Sequence, residues 1–165
     1  MIVAAAARIG LVELKSPVHL LALGFGTGLS PYAPGTMGSL LALLPAWLMF
    51  NLSWPWQLGI GIGAAVAGIW ICGESARRLG VHDHPAIVFD EIAAILLLVP
   101  AIPQQTIWLF AAFAVFRFFD IVKPWPIRDV DHRMKGGLGI MLDDLMAAIY
   151  TAVCLQVFRL LLAVA

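Results

Sequence analysis

Five apolar runs, at residues 38–52, 56–72, 92–103, 105–119 and 138–164, take up most of the chain and leave little of it to meet water. Only 12% of the residues are charged, about half the share of an ordinary soluble domain. A chain built this way must bury its surface in lipid. A straight transmembrane helix needs about 20 residues, so the shorter runs must borrow less apolar neighbours. The first can extend back towards Thr36 and the third into residues 87–91. Pro45 and Pro100 are expected to kink their helices, which neighbouring helices tolerate in a membrane. The expected fold is an all-α, polytopic membrane bundle forming one domain over residues 1–165. It would have four to five spans plus a Gly/Pro-rich interfacial or re-entrant loop.

Other classes recede on simple grounds. Ten basic and ten acidic residues cancel, so no bulk charge points to nucleic acid. The first fifteen residues do not form a basic-then-apolar leader with a cleavage site, because Glu13 and Lys15 interrupt the pattern. Two distant cysteines, Cys72 and Cys154, make no disulfide framework and read as reduced packing residues.

The loops set an orientation. Segments 51–55 and 100–105 carry no charge, and Trp54, Trp56 and Trp108 lie at or near them. Arg8, Lys15, Arg77, Arg78, Lys123, Arg128, Arg133 and Lys135 all fall at the opposite ends of the runs, and only Arg159 departs from this pattern. Tryptophan favours the interface and cytoplasmic loops carry the excess of Lys and Arg. The basic side is therefore expected to be cytoplasmic.

That topology collects acid at one depth. Asp90 and Glu91 begin the third helix, Asp120 ends the fourth, and Asp143 and Asp144 lie about two turns into the fifth. At 1.5 Å per residue, Asp143 sits only about 10 Å beyond Gly137. Ionisable groups inside spans are costly and usually face a polar cavity. Ala93, Ala94, Ala147 and Ala148 follow the two acidic pairs by about one turn, and small residues let helices approach closely. Clustered carboxylates repel unless a cation holds them, and Mg²⁺ takes oxygen ligands while keeping water and substrate phosphate. The competing reading pairs the acids with Arg117, Lys123 and Arg128 as structural salt bridges.

Two further segments suit phosphate. Arg117, Asp120 and Lys123 are spaced by three, so a helix holds them on adjoining parts of one face, and Pro124 and Pro126 stiffen the exit. Arginine offers forked contacts to phosphate oxygens; plain positive-inside anchoring is the alternative. The sixteen residues GFGTGLSPYAPGTMGS, positions 24–39, hold five glycines and two prolines. They cannot form a lipid-exposed helix, and irregular backbone at that depth must line a cavity or lie within protein. The segment leads into a helix N-terminus, where N–H groups and the helix dipole favour anions. It lacks the Gly-Lys-Ser/Thr ending of a Walker motif. Cys72 and Arg78 have the spacing of cysteine phosphatases, but Glu74 lies between them and the Cys ends a span, which opposes a reactive thiolate. His82, Asp83 and His84 read as a turn, with His84 near enough to touch substrate, and His19 reads as structural.

The blocks GFGTGLSPYAPGTMGSL, HDHPAIVFDEIAA and FRFFDIVKPWPIRDVDHRMKGGLGIMLDDLMAAIY resemble the phosphatidylglycerophosphatase A family over about half the chain. The resemblance implies Mg²⁺-dependent hydrolysis of phosphatidylglycerol phosphate to phosphatidylglycerol in a bacterial inner membrane. It implies Asp90, Glu91, Asp143 and Asp144 as metal ligands, with Asp90, Asp144, Asp120 and Lys123 in catalysis. Asp120 would act as base or nucleophile. Substrate contacts are expected from Thr27, Gly28, Ser30, Pro34, Gly35, Thr36, His84, Arg117, Lys123 and Arg128. The partner would be a membrane lipid. A transporter or channel, the rival class, would instead want acids near the midplane with access from both faces.

Overall fold

The computed structural model describes residues 11–81, 84–129, 134 and 136–164. Among them every regular element is helical: α1 Pro17–Ala22, α2 Pro34–Met49, α3 Trp54–Leu79, α4 Phe89–Leu98, α5 Thr106–Val122 and α6 Gly136–Val164, with 3₁₀ turns at Glu13–Lys15, Gly24–Leu29 and Val99–Ala101. The boundaries follow local chemistry. Proline occupies the first turn of α1, α2 and α3, where its missing N–H costs nothing. Gly80 ends α3 in the left-handed conformation, φ 70°, which glycine adopts without penalty. Lys123 closes α5 in the same region, φ 44°, and Pro124 follows it. Pro45 lies inside α2, whereas Pro100 sits in the 3₁₀ turn after α4. There the helix stops rather than bends.

The centre of the bundle is α4. Residues Asp90–Leu96, Leu98 and Val99 are buried, and no α4 residue is exposed. α2, α3, α5 and α6 all pack against it. Small residues set the distances. A Cβ on Gly61 would meet the Leu97 backbone, one on Gly38 the Val88 side chain, and one on Gly137 the Ile69 carbonyl, so the α3–α4, α2–α4 and α3–α6 approaches all depend on glycine. Along α3 the buried positions Gly61, Ala65, Gly68, Cys72 and Ala76 form one helical stripe, which accounts for Cys72 as packing. Away from the acids, two buried polar side chains are paired. Gln57 donates from Nε2 to the carbonyls of Met49 and Leu52 at 3.0 Å each, closing the α2–α3 turn. His19 Nδ1 lies 2.8 Å from Ser75 Oγ, the structural role its sequence suggested.

The outer surface is apolar. Ile62, Val66 and Trp70 on α3 and Ile149, Val153, Leu160 and Leu161 on α6 are exposed, and apolar residues exposed in such number mark a surface made to meet lipid or another apolar partner. α3, with 26 residues, and α6, with 29, are long and apolar enough to cross a membrane. α2, α4 and α5 have 16, 10 and 17 residues. Length therefore qualifies two helices as spans, fewer than the four to five expected from the apolar runs.

A candidate active site where helix ends converge

One end of the bundle gathers the starts of α2, α4 and α6 and the end of α5. Ala33, Pro34, Gly35, Pro85, Ile87, Asp90, Glu91, Arg117, Asp120, Lys123, Asp143 and Asp144 enclose a cavity there of about 270 Å³. All five acids expected from the sequence line it. N-terminal helix ends carry partial positive charge, so two first turns, those of α2 and α4, supply a field that tolerates clustered anions. The small residues expected to permit this convergence are buried to the limit: Ala93, Ala94 and Ala147 are 0% exposed.

The contacts among the charged groups are short. Arg117 Nη1 donates to Asp120 Oδ2 at 2.5 Å and reaches Glu91 Oε1 at 3.5 Å. Lys123 Nζ donates to Asp143 Oδ2 at 2.6 Å. Asp90 Oδ1 accepts the Glu91 N–H at 3.0 Å. The structural-salt-bridge reading is thus realised in part, by Arg117 and Lys123. Two cations do not balance five carboxylates. The left-handed backbone at Lys123 is costly for a residue with a side chain, and it turns the chain sharply where α5 ends beside the cavity.

Gly35 has a specific reason to be glycine. A Cβ there would fall on Glu91 Oε1 and 3.0 Å from Arg117 Nη1, so the missing side chain lets the ion pair lie against the first turn of α2. Its φ is ordinary; the constraint is space.

The donor set fits a hard divalent cation. Asp90, Glu91 and Asp144 can bring one carboxylate oxygen each within 4.8 Å of one another, and so can Asp120, Asp143 and Asp144. Asp144 is 3% exposed and Glu91 9%. Asp144 Oδ1 and Glu91 Oε2 are buried with no hydrogen-bond partner, a costly state for a carboxylate oxygen unless a cation meets it. An all-oxygen set suits Mg²⁺ or Ca²⁺ rather than a thiophilic metal.

Other expected residues lie elsewhere. Thr27 Oγ1 donates to the Gly24 carbonyl at 2.9 Å and Ser30 Oγ to that of Tyr32 at 2.8 Å. Gly28 packs where a Cβ would strike the Ala86 carbonyl. These three organise the loop and its contact with the segment before α4. Of the loop residues expected to contact substrate, only Pro34 and Gly35 line the cavity; Thr36 does not. His84 accepts the Ala86 N–H on Nδ1 at 3.1 Å and stands one residue from the lining Pro85. Arg128 is exposed. Asp83, His82, His132, Arg133 and Lys135 fall outside the described residues. Ala33, Pro85 and Ile87 line the cavity without having been singled out, since nothing in an alanine, a proline or an isoleucine marks it as site-lining. The Cys72–Arg78 pair is not a site: Cys72 is 0% exposed, and Arg78 pairs with Glu74 at 2.6 Å.

A family model described as Phosphatidylglycerophosphatase A matches residues 20–159. The Phosphatidylglycerophosphatase A of Escherichia coli (strain K12) is 43% identical over 145 residues, covering 86% of this chain and 83% of its own length. The protein of the same name from Haemophilus influenzae is 42% identical over 149 residues, covering 86% of this chain and 88% of its own. A Bacteroides thetaiotaomicron protein, named as a candidate phosphatidylinositol-3-phosphatase, is 37% identical over 149 residues, covering 85% and 92%. No solved structure matches the chain.

Proposed function

This chain belongs to the phosphatidylglycerophosphatase A family and is a lipid phosphatase, and from that premise we propose that it hydrolyses the phosphomonoester of phosphatidylglycerol phosphate, with Mg²⁺, at the cytoplasmic face of a bacterial inner membrane. The observation that carries this reading is the convergence of five carboxylates with Arg117 and Lys123 around one cavity at a helix-terminus end of the bundle.

The reaction needs charge control more than covalent chemistry, because phosphoryl transfer is limited by positioning and by charge on the equatorial oxygens. Water oxygen bonds to phosphorus, the bond from phosphorus to the glycerol oxygen breaks, and a proton from the water ends on that glycerol oxygen. Asp90, Glu91, Asp143 and Asp144 would hold Mg²⁺, which when bound polarises the phosphate and orients water. Arg117 and Lys123 neutralise phosphoryl oxygens, with Arg128 meeting the headgroup from outside. Asp120 takes the proton of the attacking water, or attacks phosphorus itself. The first turn of α2, with Pro34 and Gly35, receives the anion beside its N–H groups. Acyl chains stay in the bilayer against the exposed apolar faces of the bundle. Five helices alternating in direction would make a multi-pass topology with the site end in the cytoplasm, a placement that the excess of Lys and Arg in the sequence supports. A transport role is disfavoured because the acids gather at one end of the bundle.

The deciding experiment is phosphate release from purified protein in detergent, offered phosphatidylglycerol phosphate and phosphatidylinositol 3-phosphate in parallel, with Mg²⁺ or with EDTA. The reading expects turnover of the first substrate to exceed that of the second by at least tenfold and to stop on chelation. Full activity after exhaustive chelation rejects the metal, and preference for the inositol lipid rejects the substrate.

A further inference from the structure

We propose that the carboxylate cluster binds two divalent cations side by side, with Asp144 as the ligand common to both. This deepens the phosphatase reading and rests on it.

Two carboxylate triads share one member: Asp90, Glu91 and Asp144 form the first, and Asp120, Asp143 and Asp144 the second, each with ligand oxygens within 4.8 Å. Opposite ligands of a Mg²⁺ ion with bonds near 2.1 Å lie about 4.2 Å apart, so each triad needs only small side-chain adjustments to close on one ion. The shared residue is the most enclosed of the acids, 3% exposed, and its Oδ1 is buried with no hydrogen-bond partner. A carboxylate has two oxygens that can each accept. One aspartate between two triads, with a buried oxygen no protein group meets, is the arrangement a bridging ligand requires. Glu91 Oε2, also buried and unmet, belongs to the first triad alone.

Charge argues the same way. Five carboxylates and two side-chain cations line the cavity, a formal excess of three negative charges when all are ionised. One divalent cation leaves that excess at one, and a phosphate monoester dianion restores it to three, which opposes substrate entry. Two divalent cations turn the cavity positive by one, and the dianion then brings it to one negative charge. Only the second count attracts the substrate. Paired cations about 3.5–4 Å apart also serve both the entering and the leaving oxygen of an in-line displacement.

Arg117 and Lys123 do not already fill the second position. Arg117 contacts Asp120 on Oδ2, and Lys123 contacts Asp143 on Oδ2. Each guards one edge of a carboxylate from the side of α5, and each can turn towards the substrate when a cation takes over the carboxylate. The proposal gives Asp120 a ligand's role in place of the proton acceptor's.

The test reads metal, not turnover. Full-length protein in detergent is stripped with EDTA, titrated with Mn²⁺, and examined by calorimetry and by electron paramagnetic resonance. Wild type should bind two Mn²⁺ per chain with a spin-coupled spectrum. Asp120→Asn should bind one, with the spectrum of an isolated ion, and Asp144→Asn should lose the coupling altogether. A proton acceptor could be changed to asparagine without losing metal, so unchanged stoichiometry in Asp120→Asn overturns the proposal. A single uncoupled Mn²⁺ in wild type, with turnover still metal-dependent, overturns the pair and leaves the proposed function standing. No bound Mn²⁺, with turnover unaffected by EDTA, overturns both.

Discussion

Replacing Gly35 by alanine should disable the enzyme while leaving the fold intact. The added Cβ lands on Glu91 Oε1 and 3.0 Å from Arg117 Nη1. Real Cβ atoms do not sit that close to an oxygen, so the carboxylate must retreat by about 1 Å. It can do so cheaply, because it is the far end of a flexible side chain, and Gly35 has no unusual φ to lose. Alanine also favours helix over glycine by about 1 kcal/mol. Stability should therefore change by no more than about 1 kcal/mol in either direction. Function is less tolerant. A catalytic contact misplaced by about 1 Å can cost about a hundredfold in rate, equivalent to about 2.7 kcal/mol of transition-state stabilisation. The assay is phosphate release over a Mg²⁺ titration, with the thermal midpoint in detergent measured in parallel. The expected result is a hundredfold fall in turnover, a Mg²⁺ requirement shifted upward, and a midpoint near wild type. Gly59→Ala, where a Cβ meets nothing within 4 Å, is the control and should be silent. Wild-type turnover and Mg²⁺ dependence in Gly35→Ala would refute the assignment of this glycine to the spacing of Glu91.

Lys123→Arg keeps the charge but puts a planar fork where a compact ammonium meets Asp143 at 2.6 Å; kcat should fall by about a hundredfold, against no change for Lys15→Arg, and equal small effects at both positions would reduce Lys123 to an anchor. A cysteine at Ser53 should react with impermeant reagent from the periplasmic side and one at Gly136 from the cytoplasmic side; the reverse pattern would move the site across the membrane. Gly137→Ala drives a Cβ into the Ile69 carbonyl, and because backbone cannot step aside as a side chain can, it should lower stability by about 1–3 kcal/mol, read as a fall in the thermal midpoint.

Much of the lining of the candidate cavity was legible in the sequence because its members are expensive. An acid inside an apolar run needs a reason, so Asp90, Glu91, Asp120, Asp143 and Asp144 identified themselves, and topology alone brought them to one level. Arg117 and Lys123 were legible from their spacing and from Pro124. The Gly/Pro-rich loop was harder to read. Its composition argued against a lipid-facing helix, yet residues 34–39 form the first turns of α2 with Met37 exposed; hydroxyls serve turns as readily as ligands, and Thr27 and Ser30 bond within the loop itself. Gly35, by contrast, reaches the cavity through what it lacks. The number of spans was harder to read than the helices themselves, because an apolar run does not say whether a helix faces lipid or protein. Nothing in the sequence marks Gln57, and only the packing reveals that it is 1% exposed and closes a turn.

α4 is too short to cross a bilayer by itself. Its ten residues and the 3₁₀ turn of three that follows rise only about 21 Å, short of the roughly 30 Å hydrocarbon thickness. Yet no α4 residue is exposed, so the helix has protein rather than lipid for solvent. Hydrophobic mismatch acts on the perimeter, where α3 and α6 can tilt to suit a thinner or thicker bilayer. The inner pillar that carries Asp90 and Glu91 is indifferent to that thickness. Its depth is fixed by glycine and alanine contacts, which lipid composition does not reach.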